Sequence, residues 1–129
     1  MLVAVDPNDG LAIYEQIVRQ IKFSIAAAAI RTGEFVPSVR ELAKQIAVNP
    51  NTVARAYRDL QGAGLLESVR GKGLQVSKKA PELCRTERRK LIQERLRSVL
   101  DEAHRSGLSR KELRQLTQEE LSRLNGKVD

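Results

Sequence analysis

Apolar residues recur at helical spacing through the first part of the chain. A first helix is predicted from Ile13 to about Ala29, because Ile17, Ile21 and Ile25 line one side while charged residues occupy the others. A second helix begins at Ser38-Val39-Arg40-Glu41, a capping box in which the serine and glutamate side chains satisfy free amides of the first turn.

A third helix follows after a tight connection at residues 47–48. Asn49 is predicted to cap it, and Pro50 occupies its first position, where a missing amide does no harm. Apolar residues then occur at i, i+3, i+4 and i+7, which predicts one buried face: Val53, Ala56, Tyr57 and Leu60. Gly62 and Gly64 are predicted to end this helix.

The remaining chain divides into a hairpin and a helical tail. Residues 65–69 and 74–77 resemble short strands joined by Arg70-Gly71-Lys72-Gly73. After a polar linker at 78–81, a long helix is predicted over 82–105, then a helix capped by Ser109 and a last short helix starting at Thr117. We therefore predict an α+β fold: a winged helix-turn-helix domain at 1–78, then a short all-α segment at 79–129.

Composition restricts the choice of partners. The formal net charge is +7, which favours a polyanionic partner but also fits a mildly basic protein without one. Residues 1–77 contain nine basic and seven acidic side chains, so the placement of charges there matters more than their number. Aromatic residues make up 3% of the chain, which argues against a stacking platform for single-stranded nucleic acid.

Nothing in the sequence indicates an enzyme, a metal site or a cofactor. Cys84 lacks an obvious catalytic partner, and His104 lies in a charged helix. Gly71-Lys72-Gly73 is too short for a phosphate-binding loop. A single cysteine, an acidic start and no apolar run of about 18 residues predict a cytoplasmic protein without a membrane anchor.

The third helix carries the strongest functional signal. Asn51, Arg55 and Arg58 lie at i, i+4 and i+7, opposite the apolar face. Asparagine pairs with adenine and arginine with guanine in the major groove of DNA, which is the position of a recognition helix. Asn49 and Thr52 lie in the first turn, where side chains and free amides can bind phosphate. The alternative is that these residues are only helix caps and solvated charges.

Two further groups of residues extend this prediction. Ser38 and Arg40 start the second helix, which crosses the DNA backbone in a helix-turn-helix. Arg70, Gly71 and Lys72 form the hairpin tip, which can enter a minor groove. The alternatives are an ion pair for Arg40 and an ordinary solvated hairpin for the tip.

Residues 13–77 resemble the DNA-binding domain of the GntR superfamily. The resemblance is carried by Ile13-Tyr14-Glu15-Gln16-Ile17, Pro37-Ser38-Val39-Arg40-Glu41-Leu42-Ala43, Val48-Asn49-Pro50-Asn51-Thr52-Val53-Ala54-Arg55-Ala56-Tyr57, Gly64-Leu65-Leu66 and Arg70-Gly71-Lys72-Gly73. It implies DNA contacts by Arg40, Asn51, Thr52, Arg55 and the Arg70-Gly71 tip. Three positions depart from the pattern: Val36 replaces a leucine, Ala28 replaces a glycine, and Leu74 replaces a threonine or tyrosine.

The tail resembles that of the YtrA-like subfamily, because about fifty residues are too few for the larger effector domains of this superfamily. That resemblance implies a dimer, often one that controls a transporter operon. One apolar stripe is expected to bury itself against a second copy: Leu91, Ile92, Leu96, Val99, Leu100 and Ala103. The alternative is packing of this helix on its own winged domain.

These observations predict a dimeric transcription regulator, a repressor or an activator, that binds double-stranded DNA at a palindromic operator. So small a tail leaves little room for an enclosed ligand pocket, so a small-molecule effector is expected either to bind between domains or not to exist. The rival hypothesis is a winged helix that binds RNA or another protein, since a fold does not fix function.

Overall fold

The computed structural model describes residues 3–125. Five helices and one two-stranded sheet occur within them. Their bounds in chain order are α1 (Ile13–Ala26), α2 (Val39–Ile46), α3 (Pro50–Gly62), β1 (Leu66–Val69), β2 (Gly73–Val76), α4 (Ala80–Arg105) and α5 (Arg110–Asn125). This order of elements confirms the predicted α+β winged helix-turn-helix followed by helices. No helix within residues 3–125 is long and apolar enough to cross a membrane.

Helix α1 contributes buried side chains to the hydrophobic core. Ile17, Ile21 and Ile25 are fully buried on its inner side, as the spacing predicted. The helix ends at Ala26, three residues before the predicted end, because the chain turns through Ala28 at a φ of 59°. This left-handed conformation is incompatible with continuing an α-helix.

Helices α2 and α3 are held by the predicted caps. The Ser38 oxygen accepts a hydrogen bond from the Glu41 amide at 3.1 Å, and the Glu41 carboxylate accepts one from the Ser38 amide at 3.0 Å. The α2 helix ends at Ile46, and the next residue, Ala47, reverses the chain toward α3 at a φ of 54°. The Asn49 side chain then caps α3, with Pro50 at its start.

Strands β1 and β2 form an antiparallel hairpin, here called the wing together with its tip at residues 70–72. Leu66 pairs with Val76 and Val69 with Gly73. The chain before α2 also pairs with β2, through a bridge between Phe35 and Gln75 that no local sequence pattern predicts. This bridge ties the wing to the entrance of α2.

Helix α4 begins earlier than predicted. Residues 78–81 were expected to form a polar linker, but Ala80 and Pro81 already belong to the helix. Ala80 and Cys84 are buried in the core that α1, α2, α3 and the wing form, so this first turn packs where a linker would be solvated. The chain divides into two compact units: the first unit ends at Arg89 and the second unit begins at Lys90. The functional domain boundary at 78/79 stays a prediction.

Helix α5 is one continuous helix. The capping box at its start is confirmed, since Ser109 and Glu112 exchange hydrogen bonds. The prediction of a separate short helix starting at Thr117 is wrong. The Thr117 hydroxyl instead donates to the Leu113 carbonyl one turn earlier, at 2.7 Å, which fits the interior of a helix.

Candidate nucleic-acid interface

Helix α3 separates an apolar face from a polar one. Its buried residues are the four predicted: Val53, Ala56, Tyr57 and Leu60. Asn51, Arg55 and Arg58 are exposed on the opposite side and are called the polar face below. Because the apolar side is locked into the core, this face is a rigid strip of hydrogen-bond donors about two turns long.

The first turn of α3 offers side chains but few free amides. The Asn49 side chain accepts a hydrogen bond from the Asn51 amide at 2.8 Å. The amides of Thr52 and Val53 donate to the Asn49 carbonyl, and Pro50 has no amide. The amides of Asn51, Thr52 and Val53 are therefore all bonded, and none of these three is free to bind phosphate as predicted. The exposed Asn49 amide group and the half-buried Thr52 hydroxyl lie at this end.

A buried tyrosine fixes α3 relative to the start of α2. The Tyr57 hydroxyl donates a hydrogen bond to the Pro37 carbonyl at 2.7 Å. Burial, reinforced by the Glu41 carboxylate, raises the pKa of Tyr57 above its usual value, so the phenol remains a donor. Hydrogen bonds from the Ser38 backbone and side chain lower the pKa of Glu41, which keeps the capping carboxylate charged. Arg40 is exposed one residue after the start of α2.

The wing tip is open to solvent. Arg70, Gly71 and Lys72 are all exposed, and the Lys72 amide closes the turn by donating to the Val69 carbonyl at 2.9 Å. Gly71 has a φ of 77°, a conformation that side-chain-bearing residues rarely adopt. The two cationic side chains therefore flank a turn that requires glycine at its centre.

The cations of this surface have no acidic partner among residues 3–125. Within residues 3–125, no carboxylate forms an ion pair with any of the following side chains: Arg40, Arg55, Arg58, Arg70 and Lys72. The alternative role of Arg40, an ion pair with a neighbouring carboxylate, therefore does not occur within residues 3–125. Unpaired cations on one rigid domain retain their full attraction for an anion.

One contact of this surface was missed by sequence reasoning. The Arg55 guanidinium carbon lies 3.6 Å from the centroid of the Tyr14 ring, over its face. Tyr14 belongs to the first turn of α1 and is 41 residues away in sequence. No local pattern connects two such residues, and only the packing of α1 against α3 reveals the pair.

The second unit exposes a different kind of surface. Of the six residues predicted for dimerisation, Ile92, Leu96, Val99 and Leu100 are exposed, Leu91 is half-buried and Ala103 is buried. Val99 is the most open of them, at 61% of its surface. Helix α5 adds exposed leucines that the sequence analysis did not include: Leu116, Leu121 and Leu124.

The remaining reactive residues do not form a site. Burial raises the pKa of the Cys84 thiol, with a further contribution from Glu87 that Lys22 opposes. Within residues 3–125, no three His, Cys, Asp or Glu side chains cluster so as to bind a metal ion.

The sequence is similar to known bacterial regulatory proteins. The profile of a family described as "Bacterial regulatory proteins, gntR family" matches residues 13–76. The chain is similar to the HTH-type transcriptional repressor YtrA of Bacillus subtilis, with 35% identity over 92% of this chain and 91% of that protein.

Solved structures extend the comparison to three dimensions. A GntR family transcriptional regulator from Listeria monocytogenes superposes with a TM-score of 0.72 and 29% identity, covering 87% of this chain and 97% of that one. The DNA-binding domain of AraR, solved in complex with its operator ORX1, superposes with a TM-score of 0.54 and 30% identity. That match covers 59% of this chain and 96% of that one.

Proposed function

Because the chain belongs to the GntR family of bacterial regulatory proteins and to its YtrA-like members, we propose that it is a DNA-binding transcription regulator that represses its target as a dimer on a palindromic operator. It would act on chromosomal DNA in the cytoplasm, at an operon that the YtrA-like resemblance assigns to a transporter.

The polar face of α3 carries this proposal. Asn51, Arg55 and Arg58 form one exposed strip on a helix whose other side is locked in the core. A helix of this kind fits the major groove, where asparagine and arginine read adenine and guanine edges. The similarity to AraR, whose DNA-binding domain was solved with operator DNA, supports the same use here.

The other residues of the surface divide by chemistry. Ser38, Arg40, Asn49 and Thr52 are assigned to phosphate and sugar, where contacts give affinity and set the register of the helix. The wing tip, Arg70 to Lys72, is assigned to the minor groove. Arg58 lies about one turn after Arg55 along α3 and is the last residue of the polar face.

Dimerisation is proposed from the second unit. Its exposed apolar residues include Ile92, Leu96 and Val99, which recur at i, i+4 and i+7 on α4. In water such a stripe favours burial against an identical stripe, and a two-fold dimer reads a palindrome. The exposed leucines of α5 belong to the same proposal.

The test starts from DNA selected from a random duplex pool by the full-length protein. Arg55→Ala should then weaken binding to the selected operator by about 1–3 kcal/mol and relax base preference at one position. Arg97→Ala, which removes the same charge from α4, is the matched control. It should leave the base preference at that operator position unchanged.

Two results would contradict the proposal. Equal weakening by Arg55→Ala on all duplex sequences would make Arg55 a phosphate contact rather than a reader of bases. Preference of the protein for single-stranded RNA over every duplex at low salt would favour the rival RNA-binding function.

A further inference from the structure

We propose that Tyr14 is a positioning residue for DNA recognition, whose ring holds the Arg55 guanidinium in the orientation that reads a base. This inference rests on the proposed function, because it assigns Arg55 to the major groove. It adds a residue of α1 to the recognition machinery of α3.

The geometry favours a stable stack. The Arg55 guanidinium carbon lies 3.6 Å from the Tyr14 ring centroid, well inside the range of a cation–π contact. The Tyr14 ring is half-buried and packs against the hydrophobic core, while Arg55 is exposed. The ring is therefore the fixed partner, and the mobile arginine side chain is the one that it restrains.

Stacking leaves the hydrogen-bonding edge of Arg55 free. A guanidinium is planar and its five N–H donors all lie in that plane, so a ring over one face covers none of them. No carboxylate within residues 3–125 pairs with Arg55. The stacked arginine can thus present two parallel donors to a guanine while its rotamers are already restricted, which reduces the entropy lost on binding.

The opposite role would be a latch, in which Tyr14 draws Arg55 away from DNA. A latch and a positioning residue predict opposite signs for the same substitution. Removing the ring weakens recognition if Tyr14 positions Arg55, and strengthens it if Tyr14 withholds Arg55.

The experiment measures binding of the full-length protein to its selected operator and to the same duplex changed at the single base pair that Arg55 reads. Tyr14→Leu should weaken operator binding roughly 2- to 5-fold and reduce discrimination at that base pair. Tyr14→Phe keeps an aromatic face and should restore both. Tyr14→Met, a second apolar replacement, should behave like Tyr14→Leu, and thermal unfolding of each variant identifies any that is misfolded.

A double-mutant cycle separates positioning from a general structural effect. In the Arg55→Ala background, Tyr14→Leu should change operator affinity less than twofold, because Tyr14 acts through Arg55. An equal loss in both backgrounds would overturn the inference, as would tighter binding by Tyr14→Leu or no loss by Tyr14→Leu when Arg55→Ala is impaired. If Arg55→Ala itself leaves affinity and base preference unchanged, the assignment of Arg55 in the proposed function fails instead.

Discussion

Two alanines adopt a backbone conformation that favours glycine. Ala28, after α1, has a φ of 59°, and Ala47, between α2 and α3, has a φ of 54°. In this region the Cβ atom approaches the following carbonyl oxygen, which costs an alanine about 1–2 kcal/mol. Ala28 lies two residues after the end of α1 and Ala47 directly after the end of α2, so both turns accept this strain where a helix ends.

Replacing one of these alanines should stabilise the protein. Ala28→Gly removes the crowded Cβ, and the gain exceeds the added entropy of the unfolded chain, so the free energy of unfolding should rise by about 0.5–1 kcal/mol. Ala27→Gly is the matched control, because Ala27 has a φ of −85° and should lose a few tenths of a kcal/mol instead. Urea denaturation followed by circular dichroism measures both, and a loss by Ala28→Gly would show that the turn is not strained.

Individual residue roles could be predicted from the sequence where the interacting groups are close together along the chain. The Ser38 and Asn49 caps were identified because a capping side chain and its amide are two or three residues apart. Ala28 was recognised as standing where the family has glycine, and its positive φ explains that preference. The stacking of Arg55 on Tyr14 could not be predicted, because two helices must first pack before these side chains meet.

At the scale of elements, two glutamines of α1 hold the N-terminal arm at residues 3–10. The Gln16 amide oxygen accepts from the Asp6 amide at 2.8 Å, and its nitrogen donates to the carbonyls of Asp6 and Leu11 at 2.8 and 2.9 Å. One turn later, Gln20 exchanges the same pair of hydrogen bonds with Ala4. The side chains of α1 thereby satisfy backbone groups of Ala4 and Asp6.

The two glutamines should differ in their effect on stability. Gln16 is 4% exposed and its three hydrogen bonds to Asp6 and Leu11 are partly shielded from water, so Gln16→Leu should lower the free energy of unfolding by about 1–3 kcal/mol. Gln20→Leu is the matched control, because its hydrogen bonds with Ala4 are exposed and water can replace the lost partner. Equal urea midpoints for the two variants would show that the partly buried contacts of Gln16 stabilise the fold no more than the exposed contacts of Gln20.

Element prediction succeeded where periodicity was strong and failed at boundaries set by packing. The buried face of α3 emerged from spacing alone, because four apolar residues recur with the helical period. The start of α4 was missed, because Ala80 and Pro81 look like a linker until the core is seen to bury Ala80. The pairing of Phe35 with Gln75 was missed because strand partners are distant in sequence.

At the scale of the whole molecule, association should depend on the apolar stripe of α4. Leu96 is 53% exposed near the middle of the stripe, and Leu96→Arg would bury a charge if two copies meet there. We expect this variant to sediment as a monomer. It should bind a palindromic operator about 100-fold more weakly, because a dimer bound at one half-site holds its second domain at a high effective concentration beside the other half-site.

Arg97→Ala tests whether the stripe itself matters. The neighbouring position is rotated by about 100° on the helix, so this variant should remain a dimer with unchanged affinity. If Leu96→Arg also remains a dimer, the leucines of α5 become the proposed contact surface.

The sequence has one cysteine, and the core of the first unit encloses it. Cys84 is only 1% exposed, and burial raises the pKa of its thiol, which disfavours the thiolate that oxidation and alkylation require. The folded chain is therefore protected from covalent cross-linking in air. Because the sulfur lies in the first turns of α4, its reaction with a maleimide reports the moment at which that end of the helix separates from the core.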